Sequence, residues 1–292
     1  MSADANPIVR SFHHADTGTW THVLVDAATR RAAIIDSVLD FDPPSGVVRA
    51  DSAQRVLEYV ATAALRVDWV LETHAHADHL SAGAWLCERT GAKLGIGAGI
   101  VEVQRTFQRL LALDDDFPTD GSPFDSLFAD GDTFRVGELE VRAIATPGHT
   151  ADSVSYLAGD ALFVGDTIFA PHAGTARCDF PGGDAAVLYH SVMQLYGLPD
   201  ATRVFLCHDY PAKDVEPVAE VALGAEKAGN VFLRATTTEA AFVTARMQRD
   251  ATLATPRLLW PAIQVNLRGG RLPPSVDGVR AFLKLPVRFE ES

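Results

Sequence analysis

The sequence predicts a layered α/β fold, and three observations predict it. β-rich apolar runs alternate with segments of helical periodicity from residue 21 onward, the order that builds sheets covered by helices. Hydrophobic residues make up 47% of the 292 positions and charged residues 22%, enough apolar side chains for a large core. No internal repeat and no long linker interrupts the chain, so residues 1–292 are expected to form a single domain.

Taken in order, residues 11–19 are polar and carry adjacent His13 and His14. Neighbours on a strand point to opposite faces, so this pair is expected at the surface and not on one metal. Residues 21–26 and 31–36 read as strands joined by a turn at Ala27-Ala28-Thr29-Arg30, and the second delivers a carboxylate, Asp36. Residues 41–46 have loop chemistry. Asp51 or Ser52 should cap a helix bearing Val56, Leu57, Val60 and Ala64. A strand over 67–72 and a helix over 80–89 follow, then a short strand over 93–96 and a helix over 100–113. The acidic, turn-rich residues 114–123 lack the spacing of a calcium loop and read as a solvated loop or lid. Strands are expected over 139–145, 154–157, 162–164 and 203–207. Asp184 should cap a helix to about residue 196, and a further helix is expected over 238–249.

The chemistry concentrates between the strand at 67–72 and the helix after it. Thr73-His74-Ala75-His76-Ala77-Asp78-His79 places three histidines and an aspartate in six positions. Alternating residues of an extended segment point the same way, so His74 and His76 can face one centre while Asp78 and His79 face a second. Imidazole nitrogens and a carboxylate suit Zn, Fe or Mn. The same event recurs three times: an apolar run reaches a turn and presents His149, then Asp166, then His208. Gly148 and Gly165 directly precede two of these residues, consistent with tight backbone turns.

Composition excludes other classes. A net charge of -13 repels a phosphate backbone, so no nucleic-acid partner is expected. Cys87, Cys178 and Cys207 form neither a disulfide framework nor a CxxC pattern; they read as reduced thiols in a cytoplasmic protein, Cys178 and Cys207 as buried and inert. Residues 1–7 show no basic region followed by an apolar run, so no signal peptide is expected. No apolar run approaches the ~18 residues of a membrane span.

The motifs His74-x-His76-x-Asp78-His79, Pro147-Gly148-His149-Thr150, Gly165-Asp166 and His208-Asp209 resemble the successive metal motifs of the metallo-β-lactamase fold, over residues 20–211. The resemblance implies an αβ/βα four-layer sandwich with metal at one edge of two facing sheets. It also implies an insert at about 97–128 and a C-terminal extension from about 212. Within that superfamily, Asp36-Ser37-Val38-Leu39-Asp40-Phe41-Asp42-Pro43, Gly174-Thr175-Ala176-Arg177-Cys178-Asp179-Phe180, Leu188-Tyr189-His190-Ser191 and His208-Asp209-Tyr210 resemble the persulfide dioxygenases.

That second resemblance implies one Fe(II) per chain, held by His74, His149 and Asp166, with open positions for water, O2 and a substrate sulfur. His76, Asp78, His79 and His208 would then orient ligands and solvent. The implied substrates are glutathione persulfide and O2, and the implied products sulfite and glutathione. Arg177 (with Asp179 as partner) and Tyr210 would bind the substrate, while Lys213 reads as a solvated surface lysine. Every residue of a two-metal site is also present, so the ligands alone leave metal count open. A glyoxalase II-like hydrolase of glutathione thioesters with a dinuclear site therefore stays as the alternative. A non-enzymatic binding protein on the same scaffold is a third class. The acidic insert and long C-terminal segment could serve a homodimer.

Overall fold

The computed structural model describes residues 7–211, 214–275, 277–287 and 289. Residues 1–6, most of the segment read for a signal peptide, lie outside them.

The first half of the chain gives β1 (Ile8–His14), β2 (Thr19–Asp26), β3 (Arg31–Ile35), β4 (Val38–Asp42), β5 (Val47–Arg49) and α1 (Asp51–Thr62). It continues with β6 (Arg66–Leu71), β7 (Leu80–Ser81), α2 (Gly83–Thr90), β8 (Lys93–Gly97), α3 (Ile100–Leu110) and β9 (Ser126–Phe128). One sheet runs β1-β2-β3-β6-β8-β9, antiparallel through β3 and parallel from there on. The second half gives β10 (Thr133–Val136), β11 (Leu139–Ala145), β12 (Val154–Ala158), β13 (Ala161–Phe163), α4 (Ala185–Tyr196), β14 (Arg203–Phe205), β15 (Glu220–Ala222), α5 (Leu223–Gly229), α6 (Glu239–Asp250) and α7 (Leu259–Asn266). Its sheet runs β10 to β15 in chain order.

Strand periodicity sorts the apolar residues into three cores. Leu24, Ala33 and Leu71 of the first sheet meet Val141, Tyr156 and Phe163 of the second between the sheets. The other face of the first sheet, with Val23, Ile34 and Val70, is covered by Val56 of α1, Leu86 of α2, Phe107 of α3 and Ile263 of α7. The other face of the second, with Leu162 and Val204, is covered by Leu188 and Val192 of α4 and Phe242 of α6. This is the expected αβ/βα four-layer sandwich.

Several local expectations hold for stated reasons. Asp184 Oδ1 accepts from the backbone N–H groups of Ala186 and Val187 at 2.7 and 3.0 Å, so it caps α4 as read. Thr238 caps α6 in the same way. Others are corrected. The helix read over 80–89 starts only at Gly83, because Leu80 and Ser81 pair with Leu39 and Val38. α1 takes its cap from neither Asp51 nor Ser52; Asp40 of β4 accepts from the Ser52 backbone N–H and hydroxyl, both at 2.8 Å. Phe41 and Asp42 are strand, not loop, since they pair with Val48 and Val47. His14 is buried against Thr17 and Asp40 rather than at the surface.

Hydrogen bonds join residues of the 97–128 segment to the C-terminal segment. Gln104 of α3 donates to the Leu267 carbonyl at 3.0 Å and accepts from the Gly121 N–H at 2.9 Å. Asp114, Asp115 and Asp116 are exposed, while Phe117 is buried beneath the Arg268 guanidinium. No helix of the described residues is long and apolar enough to cross a membrane.

Glu226 of α5 is fully buried; Asn230 Nδ2 donates to its Oε2 at 2.8 Å, and its Oε1 has no partner. Burial pushes its pKa up from 4.5 to about 7, against the pull of the Asn230 hydrogen bond. An acid raised in this way takes up protons on folding. Its contribution to stability is therefore complete below pH 4.5 and is lost as pH rises through about 7. Glu226→Gln is expected to remove that slope, gaining on the order of 2–3 kcal/mol relative to wild type between pH 4.5 and 8. Urea unfolding across this range checks it, and a constant difference between the two proteins would refute it.

Candidate metal centre

Past the end of β6 the chain leaves the ladder, and side chains take over its backbone. Thr73 N–H donates to Asp36 Oδ1 at 2.8 Å, and Ala75 N–H donates to Asp152 Oδ2 at 2.7 Å. Asn266, at the end of α7, donates to the carbonyls of His76 and His79, both at 2.8 Å, and accepts from the Ser81 N–H. All three anchors are buried. A buried loop must find such partners, and here they hold the histidine stretch rigid. Gly148 and Gly165 have φ of +133° and +52°, and a side chain there would run into Leu188 and Thr73.

The turns converge as read. Asp166 Oδ2 lies 3.9 Å from His74 Nε2 and 3.7 Å from His149 Nε2; its Oδ1 lies 3.4 Å from His208 Nε2. Asp78 Oδ2 lies 3.4 Å from His208 Nε2 and 3.3 Å from His79 Nδ1. Two of the clusters of donor atoms among the described residues are His74/His149/Asp166 and His76/Asp78/His79/His208, each with its atoms within 4.8 Å of one another; two more, Asp36/His76/Cys207 and Asp166/Cys207/His208, include the Cys207 thiol. Asp166 touches both of the first two.

Hydrogen bonding fixes which imidazole nitrogen is free. A carbonyl only accepts, so His149 Nδ1–H donates to the Arg177 carbonyl at 2.7 Å and Nε2 keeps its lone pair. The Thr73 hydroxyl donates to Asp36 Oδ2 at 3.0 Å, so it accepts from His74 Nδ1–H, also at 3.0 Å, and His74 Nε2 is free. His79 Nδ1–H is aimed at Asp78, leaving Nε2. His76 is reversed: Nε2–H donates to Asp36 Oδ1 at 3.0 Å, with Glu72 at 3.4 Å, and Nδ1 is left. His74 Nε2, His76 Nδ1, His79 Nε2, both His208 nitrogens and Asp166 Oδ1 are all buried without a hydrogen-bond partner. Buried polar atoms are normally satisfied. Orphaned polar atoms converging on one place, the free Nε2 of His74 and His79 and the Asp166 carboxylate oxygen among them, fit a bound metal ion.

Charge states agree. Burial, reinforced by neighbouring imidazoles, holds His74 well below its ordinary pKa and lowers His79 to about 4, so both are neutral and able to ligate. Burial opposes charge on His76 too, but Asp36 and Glu72 prevail and hold it well above its ordinary value. Burial likewise disfavours ionised Asp78, yet His208 and His79 keep it well below the usual carboxylate range.

A cavity of about 510 Å3 opens on Asp78, His149 and Asp166, walled by Phe169, Phe180, Phe232 and Leu253. A cleft of about 640 Å3 elsewhere, around Arg31, Trp69 and Arg135, is lined by none of the ligand candidates. Arg177 lines the metal-side cavity, but its fork is committed: Nε and Nη2 donate to Asp179 at 2.6 Å each, and Nη1 donates to the Ala254 carbonyl at 2.7 Å. Tyr210 is 61% exposed at the rim, with its ring parallel to that of His208. Lys213 lies outside the described residues. Cys178 and Cys207 are buried; burial pushes the Cys178 thiol up to about 12 and raises Cys207 well above its ordinary value, so both are inert. Asp152, Asn266, Arg246 and Asp250 carry no sequence signal of a site role; Asp36 shows as a carboxylate at a strand end and as the first residue of a motif resembling the persulfide dioxygenases, with no role attached.

Residues 16–208 match the Metallo-beta-lactamase superfamily. The chain is 45% identical over 285 residues to the Beta-lactamase hydrolase-like protein of Xylella fastidiosa; the match takes in 98% of this chain but 66% of that relative, so the chain spans about two thirds of its length. It is 40% identical to Glyoxylase B2 of Dictyostelium discoideum over 283 residues, 96% of this chain and 97% of the other. It is 29% identical to the mitochondrial persulfide dioxygenase of Bos taurus over 272 residues, 92% and 91% respectively. The crystal structure of ETHE1 from Myxococcus xanthus superposes with a TM-score of 0.72 at 32% identity, covering 90% of this chain and 100% of that one. The four-layer sandwich, the ligand candidates at its strand ends and the match over residues 16–208 together place this chain in the metallo-beta-lactamase superfamily.

Proposed function

We propose that this protein is a glutathione persulfide dioxygenase, with His74, His149 and Asp166 holding one Fe(II) in a single catalytic domain. The reaction balances as RSSH + O2 + H2O giving RSH and sulfite with two protons. The observation that carries the reading is the group of two free imidazole Nε2 atoms and one carboxylate, two of whose members, His149 and Asp166, line the cavity, in a chain that resembles persulfide dioxygenases over most of its length. Two histidines and a carboxylate on one face are the donor set of Fe(II) oxygenases. Bound there, ferrous iron would supply open coordination positions and the redox chemistry that O2 requires.

The chain's own residues do the rest. Asp36 through Thr73, and Arg177 through its carbonyl, hold two imidazoles with Nε2 inward. Phe169, Phe180 and Phe232 give the cavity aromatic walls beside its charged residues Asp78, Arg246 and Arg249, a surface for the carbon and sulfur atoms of a thiol substrate. His76 is committed through Nε2–H to Asp36 and Glu72, which suits an orienting residue better than a second-metal ligand. Three free thiols are compatible with a reducing compartment such as the cytoplasm.

A second reading, a dinuclear hydrolase of glutathione thioesters, is favoured by the second cluster around Asp78 and by the likeness to Glyoxylase B2. Oxygen uptake with glutathione persulfide separates the two, because hydrolysis of lactoylglutathione consumes no O2. Metal counting separates them again. Asp78→Ala is expected to keep one iron per chain, and loss of half the bound metal would favour the dinuclear hydrolase.

A further inference from the structure

α6 carries a buried ion pair beside the metal centre. Arg246 and Asp250 stand one helical turn apart and are 2% and 6% exposed. Arg246 Nε and Nη2 lie 2.9 and 2.7 Å from Asp250 Oδ1. Such a pair gains little net stability from its own attraction, since desolvating both charges costs about as much. What distinguishes it is where its other atoms go. Arg246 Nη1 donates to the Thr175 carbonyl at 2.9 Å, and Asp250 Oδ2 accepts from the Cys178 N–H at 2.9 Å. The two contacts pin both ends of a four-residue stretch of backbone. Inside that stretch is the Arg177 carbonyl, which accepts from His149 Nδ1–H at 2.7 Å. The Phe232 ring packs 4.7 Å from the guanidinium, and both residues line the metal-side cavity.

We propose that Arg246 and Asp250 are positioning residues for the metal: they fix the 175–178 backbone so that the Arg177 carbonyl holds His149 in the tautomer and orientation that present Nε2. The device lies on α6, beyond residue 208 where the superfamily match ends, so it belongs to the C-terminal segment of this chain. An imidazole whose Nδ1–H loses a fixed acceptor can rotate about its side-chain torsions and can move its proton to Nε2, and either change removes a ligand lone pair. The proposal rests on His149 as a metal ligand and is independent of which sulfur compound is turned over.

The test uses Co(II) bound to the full-length protein, titrated by its visible absorption, so that the readout is affinity and spectrum and not turnover. Arg246→Met is expected to weaken Co(II) binding by roughly 10–100-fold, the usual effect of losing an outer partner of a ligating histidine, and to shift the visible band. Asp250→Asn, which keeps shape and loses charge, should move both in the same direction by less. A folded Arg246→Met protein with wild-type affinity and spectrum overturns the proposal. If its far-UV circular dichroism shows that it does not fold, Arg246→Lys decides. Lysine keeps the charge but cannot hold Asp250 and the Thr175 carbonyl with one planar fork, so weakened binding supports the proposal and wild-type binding overturns it. His149→Ala is the reference: unchanged Co(II) affinity there would overturn the ligand assignment and the proposal with it.

Discussion

Asp166→Ala protein is expected to retain no iron after anaerobic loading and to lose turnover by on the order of 1,000-fold or more. Losing an outer partner of a metal ligand typically costs 10–100-fold, so losing a ligand that belongs to both donor groups must cost more. Asp166 Oδ2 sits beside His74 and His149 while Oδ1 faces His208, so its removal leaves two imidazoles with no carboxylate donor between them. Two imidazoles alone hold Fe(II) weakly, and the charge that balances the cation is gone. Asp166→Asn separates shape from charge and should fall between wild type and alanine. Elemental analysis for iron per chain and an oxygen electrode measure both quantities, and an alanine variant that keeps iron and activity would strike Asp166 from the ligand set.

What the sequence reveals and what it hides follow the range of the interactions. Asp184 is legible as a cap because it bonds amides two and three residues ahead. β2, β3 and β6 are legible because a short run of β-branched and apolar residues is a local pattern. The ligand candidates are legible because four of them fall in one short stretch and the rest follow apolar runs. Leu80-Ser81 is misread as helix because its partner strand, Val38-Leu39, lies far earlier in the chain. Asn266 gives no hint that it fastens the carbonyls of His76 and His79, since the contact joins opposite ends of the chain. Arg246 and Asp250 give no signal either, since their role depends on burial and on contacts with the 175–178 backbone far away in the chain. Arg177 shows a further limit. Its side chain pairs with Asp179 as read, yet the atom it gives the metal site is its carbonyl, and no residue type announces a backbone role.

Asp36→Ala should be the most destabilising single change at the site, on the order of 3–5 kcal/mol in the metal-free protein, the range for leaving a buried charge without its partner. Asp36 is 1% exposed and accepts from the Thr73 N–H, the Thr73 hydroxyl and His76 Nε2–H. Its own φ is +53°, a region that aspartate and asparagine enter more readily than alanine. Asp36→Asn keeps that backbone and one acceptor but not the charge, so it should cost less and carry the pH information. Burial works against an ionised Asp36, but His76 prevails and lowers its pKa below 3.8; that share of stability is present above pH 3.8 and is lost as pH falls through the folded value. His76 is raised well above 6.5, so its share is complete below pH 6.5 and fades as pH rises toward the folded value. The gap in unfolding free energy between wild type and Asp36→Asn should therefore be widest between about pH 4 and 6.5 and narrow on either side. Urea unfolding of metal-free protein measures it, and a gap that does not change with pH would mean that His76 is neutral and that Asp36 acts through Thr73 and His74 alone.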